Sequence, residues 1–261
     1  NHLYEFLGQA EMNQKLKQKG FEHTKIIHRL SLPLSPEENR HTPGFSMYDE
    51  TGIKKIYSEQ AKYNPVDLSS KHPILLGESY TTNDSLINRP MSFKHKNISS
   101  IKDLQNGIRK LLFPEYDPTN KFNLNPEDLT FLYRYMSQLP RETSEPDYRN
   151  KPDNYCKFLM YGADTDAIIP DHIRIFNKIG LAYGFTIDNA YIIDLKNNIE
   201  FLLTAVIYTN ENSVLNDGKY EYDSIAFPFF QKLGEVIYDF EFKRKKEFLP
   251  NLERFNLDYD N

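Results

Sequence analysis

Tryptophan is absent from these 261 residues, and cysteine occurs once, as Cys156. A single thiol excludes an intrachain disulfide and a cysteine-based zinc cluster, and it says little about redox compartment. No apolar run approaches the length of a membrane-spanning helix. Glycine-rich phosphate loops are absent. The seven histidines (positions 2, 23, 28, 41, 72, 95 and 172) show no His-x-x-x-His spacing, so neither a metal nor another cofactor is expected. An excess of one charge is also lacking. Lys and Arg number 32 against 37 Asp and Glu, a net charge of −5, which gives no general affinity for nucleic acid or anionic membrane. The run "KRKK" at 243–246 reads as the basic end of a helix, where it complements the dipole.

What is present is an ordinary globular composition rich in Tyr and Phe, 18 of each, on a chain long enough to bury a sizeable core. The chain opens on "NHLYEFLGQ", which has Leu3, Phe6, Leu7 and Ala10 at helical spacing. It reads as the inside of a helix, so the chain is expected to be a fragment of a longer protein. Gly8 and Gly20 close two short helices. Residues 24–34 read as extended or irregular, and 35–100 as hairpins and loops. The stretch 99–114 is a helix that Ser99 or Ser100 can cap, with Ile101, Leu104, Ile108, Leu111 and Leu112 on one face. The stretch 125–140 is another, with an Asn cap and a first-turn proline. Residues 156–162 read as a strand or a short helical turn. Three strands follow at about 172–179, 182–194 and 199–209, then a long C-terminal helix. Helix pairs followed by strand-strand-strand-helix predict an α+β domain with a mainly antiparallel sheet.

The informative stretch is "IRIFNKIGLAYGFTIDNAYIIDL", residues 173–195. Lys178 sits in a strand, two residues before Gly180. It reads either as a solvated lysine or as a site residue, where glycine lets a ligand approach the backbone and the ammonium holds an anion. The order Lys178-Ile179-Gly180, Tyr183-Gly184, Asp188-Asn189-Ala190 resembles the Lys-Thr/Ser-Gly strand of the penicillin-recognising serine enzymes, the class A β-lactamases in particular. "NHLYEFLGQAEMNQKLKQKGF" is similar to the segment that follows that family's Ser-Asp-Asn motif, and "HRL" at 28–30 to the start of its omega loop. The resemblance covers roughly 1–35 and 170–247, and the tail resembles exported bacterial serine hydrolases of this superfamily.

The resemblance implies a β-lactamase/transpeptidase-like domain over 1–261, with 1–35 as helical part, 36–170 as enlarged loop and helix insertion, and 171–247 as sheet and closing helix. It implies an exported, periplasmic serine hydrolase that acylates on an amide or ester, with a small-molecule or peptide-type substrate and peptidoglycan as a candidate partner. Lys178 would be catalytic, and the Leu181 N–H would be half of an oxyanion hole. Ile179, Gly180 and Ala182 would line the substrate. Departures are plain. The only Ser-x-x-Lys, Ser99 to Lys102, reads as a helix cap, so the nucleophile and the Ser-Asp-Asn motif are expected before Asn1, and this chain alone is expected to be inactive. Ile179 lacks the family's hydroxyl. "SPEENRH" offers Glu37, Glu38 and Asn39 at the wrong spacing for water activation and reads as a charged loop capped by proline. A degenerate member that binds peptidoglycan or a protein partner is the alternative, and a plain interaction domain is a third reading. "YTN" at 208–210 mimics a family motif but ends a strand. Asp164, Asp166 and Asp171 read by default as a polar turn, with calcium binding as the alternative, and Asp188 as a structural, hydrogen-bonded acid.

Overall fold

Residues 1–259 are described by a computed structural model, and their contacts divide them into two units. The first joins Asn1–Gly77 to Arg89–Asp103; the second joins Glu78–Asn88 to the chain from Leu104 on. The sequence reading draws one domain over 1–261 instead.

In the first unit, α1 (His2–Leu7) and α2 (Gln9–Gln18) are separated by Gly8. Polar bonds tie this pair to the irregular segment that follows. The Tyr4 hydroxyl donates to the Asn39 carbonyl at 2.6 Å, and Gln9 Nε2 donates to the Ile27 carbonyl at 2.8 Å. Buried Arg29 donates from Nε to Glu5 Oε1 at 2.7 Å and from Nη2 to the His41 carbonyl at 2.8 Å. The stretch read as a charged loop is in fact a helix, α3 (Pro36–Arg40). Ser35 Oγ accepts from Glu38 N–H, and Glu38 Oε2 accepts from Ser35 N–H, which is a capping box. Short antiparallel pairs complete the unit: β1 (His41–Thr42) with β4 (Lys62–Tyr63), β2 (Phe45–Tyr48) with β3 (Lys55–Glu59), and β5 (Leu75–Leu76) with β8 (Met91–Ser92).

In the second unit, β6 (Ser79–Thr82) and β7 (Ser85–Ile87) form a hairpin, with β12 (Val214–Leu215) parallel to β6. The main sheet has the order β11-β10-β9, all antiparallel, from β9 (Ile173–Ala182), β10 (Phe185–Asp194) and β11 (Ile199–Tyr208). Successive side chains alternate between its faces. On one face Ile173, Ile175, Ala190, Ile192 and Ala205 pack with Phe158, Leu159 and Phe230. Phe230 lies on the closing helix α6 (Phe227–Lys243). That helix approaches the 158–160 segment so closely that a Cβ on Gly234 would lie 2.4 Å from the Met160 nitrogen. On the other face Phe176, Tyr191 and Ile193 pack with Leu112, Tyr133 and Phe255. Leu112 ends α4 (Ile101–Leu112), and Tyr133 belongs to α5 (Pro126–Ser137), whose cap is the Asn125 side chain. The sheet therefore has two apolar faces, as its near-continuous hydrophobic strands require. The architecture is α+β, as the sequence predicts.

The second strand starts at Phe185 rather than 182, because Tyr183 and Gly184 are spent on the turn. The expected turn after it is built by Asp194, whose Oδ1 accepts from the N–H groups of Lys196 and Asn197 at 2.9 and 3.0 Å.

Candidate functional site at the edge of the sheet

Strand β9 changes character midway. Ile173 to Asn177 are buried, whereas Lys178 to Ala182 are exposed or half-buried. The residues singled out in the sequence are thus the accessible half of an edge strand. Tyr183 (φ 56°) and Gly184 (φ 85°) make a two-residue hairpin of the kind that requires φ > 0 at both positions. Ala182 and Phe185 close it and exchange both backbone bonds; alternation from there pairs Gly180 with Ile187 and Lys178 with Asn189. The N–H and C=O groups of Ile179 and Leu181 therefore point to the free edge. In agreement, the Ile179 carbonyl accepts from Lys178 Nζ at 3.1 Å.

The two glycines here differ. A Cβ on Gly184 would sit 2.7 Å from the Thr209 carbonyl oxygen, so the fold itself requires glycine. A Cβ on Gly180 would meet nothing closer than Ile187 Cβ at 4.0 Å. Packing within the chain gives no reason for glycine at 180.

A polar network lies beneath this edge. Lys157, fully buried, donates to the Met136 carbonyl at 2.6 Å and to Asn177 Oδ1 at 2.7 Å. Asn177 Nδ2 donates to the Cys156 carbonyl and to Asp188 Oδ1, both at 2.8 Å. Asp188 Oδ2 accepts from the N–H groups of Phe158 and Leu159, each at 3.0 Å. Asp188 thus has the structural role read from the sequence. Burial raises its carboxyl pKa, while every contact it makes is with a donor and so serves the ionised form. Burial lowers the Lys157 ammonium from 10.5 to about 8, against the pull of Asp188. The network orders the chain under Lys178 and Ile179, which sit opposite Asn189 and Asp188 in the strand register.

Beside the edge opens a cleft of about 620 Å³, within the range of small-molecule sites. Lys178 and Ile179 line it with Lys157, Cys156 and three tyrosines, Tyr135, Tyr148 and Tyr155. The tyrosines and Lys157 lie far from Lys178 in sequence, and no spacing could have announced them. The Cys156 thiol is pushed up by burial, with Lys157 and Lys178 acting in the opposite direction. Gly180, Leu181 and Ala182 continue along the strand beyond the cleft lining.

The other candidates fall elsewhere. Ser100 Oγ accepts from Asp103 N–H at 3.0 Å and Ser99 Oγ bonds to Thr24 Oγ1 at 2.7 Å, so both serines serve a helix start and its neighbour. Asn39 is buried and accepts from Arg29 N–H at 2.9 Å; Glu37 pairs with Arg40, and Glu38 closes the capping box. Tyr208 and Asn210 bond to each other at the end of β11. Asp164 accepts from Asp166 N–H in a turn, and Asp171 pairs with Arg141. Among the described residues no group of three or more His, Cys, Asp or Glu could hold a metal, and no helix is long and apolar enough to cross a membrane.

No protein-family model matches the chain, and no curated protein matches it. The class stands on the fold: an α+β chain whose main antiparallel sheet is covered by helices and presents the accessible edge of β9 beside a cleft.

Proposed function

We propose that this chain supplies the substrate-binding edge and half of the oxyanion hole of a serine acyl-transfer domain, β-lactamase- or transpeptidase-like, that acts on an amide or ester. One observation carries the reading: Lys178-Ile179-Gly180-Leu181 occupies the accessible half of edge strand β9, with the peptide groups of Ile179 and Leu181 directed outward. An extended substrate segment adds there as a further strand. Gly180 keeps the approach open, and the Leu181 N–H is one fixed donor for a developing oxyanion. Lys178 adds positive potential at the same edge. On this reading the second donor is the N–H of the nucleophilic serine, which is not among the serines of this chain. An exported, periplasmic enzyme is the setting this reading implies, with a peptide-type or small-molecule substrate.

A second reading has its own support. Ile179 stands where the related enzymes carry a carboxylate-binding hydroxyl, which favours a non-catalytic domain that binds peptidoglycan or a protein partner. The test is to read the complete coding sequence and then treat the complete protein with a serine-directed covalent probe. A single adduct on a serine of an upstream Ser-x-x-Lys is the expected result. An intact protein with no such motif and no adduct removes the catalytic reading and leaves the binding one.

A further inference from the structure

Lys157 has three N–H donors and spends two of them, on the Met136 carbonyl and on Asn177 Oδ1. No further acceptor among the described residues is bonded to it, yet it is itself part of the cleft lining. A buried ammonium with a donor to spare, on a residue in the lining of a cavity, favours an anion there. Lys178 stands at the rim of the same cleft, its ammonium bonded only to the Ile179 carbonyl next to it. Against these two cations the lining offers one acid, Glu145, while Asp188, outside the lining, acts on Lys157 from behind Asn177.

The rest of the wall mixes aromatic and apolar side chains with the uncharged polar Gln138, Thr143, Ser144 and Asn177. Tyr135, Tyr148 and Tyr155 are exposed, and the rings of Tyr148 and Tyr155 lie 6.0 Å apart. Such rings offer broad contact at little entropic cost. Ile179 adds an alkyl surface.

We propose that this cleft binds a carboxylate with an aromatic body, such as the carboxyl end of a peptide that terminates in phenylalanine. The carboxylate lies between Lys157 and Lys178, and the aryl group lies on Tyr148, Tyr155 and Ile179. Carboxylate recognition has then moved off the position of Ile179 and onto Lys157. This inference rests on reading β9 as the substrate edge, and it names the substrate class for that edge.

The test is a ¹H–¹⁵N NMR titration of the 261-residue chain with N-acetyl-L-phenylalanine and, separately, with its amide. The acid should bind saturably, with shifts centred on Lys157, Lys178 and Tyr155, and the amide roughly tenfold or more weakly. Lys157→Met should remove the preference for the acid. Tyr148→Ala combined with Tyr155→Ala, both surface changes, should weaken acid and amide alike. Because Lys157→Met also strips the buried network, the acid-against-amide comparison on the unaltered chain decides by itself. Equal binding of the two, or no saturation by either, overturns the proposal. Acid-selective binding in a protein whose complete form takes no serine probe leaves this inference standing and removes acyl transfer. Probe labelling without acid selectivity does the reverse.

Discussion

Asn177 Nδ2 donates to Asp188 Oδ1 at 2.8 Å across neighbouring strands, and the bond links the cleft floor to the sheet. The other carboxylate oxygen holds the N–H groups of Phe158 and Leu159. Asp188→Asn is nearly isosteric, but either orientation of the new amide turns an NH₂ toward a donor. At least one buried donor is then left unpaired. The expected loss is about 3 kcal/mol, read as a lower urea midpoint with an unchanged slope. A midpoint within error of the unaltered chain would show that the network does not hold this edge.

The three long strands were legible because each runs for ten residues and is bounded by turn residues, Tyr183-Gly184 and the stretch after Asp194. Helices α4 and α5 were legible from their caps. The hairpin character of 35–100 was legible, but the individual strands between 41 and 92 were not, since strands of two to five residues carry too few alternations to reveal a period. α3 was missed although Ser35 and Glu38 stand at capping-box spacing, because five residues have no apolar face to confirm a helix. Lys157 reads as solvated in any sequence; only Asn177, twenty residues on, and the Met136 carbonyl make its burial tolerable.

Lys157 should leave a signature in the pH dependence of stability. Its folded pKa of about 8 lies below the ordinary 10.5, so above pH 8 the unfolded chain holds more protons at this group. Stability contributed here therefore rises with pH from about 8, and the penalty of the buried charge is fully relieved only above 10.5. Opposing groups enter later. The Cys156 thiol is raised above 9.0 by burial, and Tyr161 and Tyr238 are pushed up from 10.0 to about 12, so their contributions fall away as pH climbs past 9 and 10. Urea midpoints should rise between about pH 8 and 9 and decline above 10. Lys157→Met should abolish the rise and keep the decline. A rise that survives in the variant would assign it to another group.

Cys156 lines the cleft and is the only thiol in the chain, which makes it a reporter. Cys156 is exposed as a residue, yet partial desolvation of its thiol raises the pKa above the ordinary 9.0, and the thiolate is the form that reacts. Iodoacetamide should alkylate it several-fold more slowly at pH 7.5 than it alkylates the unfolded chain in urea. The rate should still be climbing above pH 9. Equal rates for folded and unfolded chains at pH 7.5 would mean that the two neighbouring lysines outweigh burial.

Gly180 and Gly184 stand four residues apart and should separate folding from function. At Gly184 an alanine meets the Thr209 carbonyl oxygen at 2.7 Å and must adopt φ +85°, both unfavourable. Gly184→Ala should lower stability by about 2 kcal/mol or more and disturb the hairpin that aims Leu181. At Gly180 the added methyl has room and ordinary strand geometry, so Gly180→Ala should change stability by less than about 1 kcal/mol. If a substrate at the free edge of β9 also lies over the face of the strand at Gly180, that same methyl stands in its path. The complete protein carrying Gly180→Ala should then take up a serine-directed probe roughly tenfold more slowly, while its urea midpoint is unmoved. Unchanged labelling by a stable Gly180→Ala protein would mean that the substrate does not lie against this strand, and would return Lys178 to the role of a surface charge.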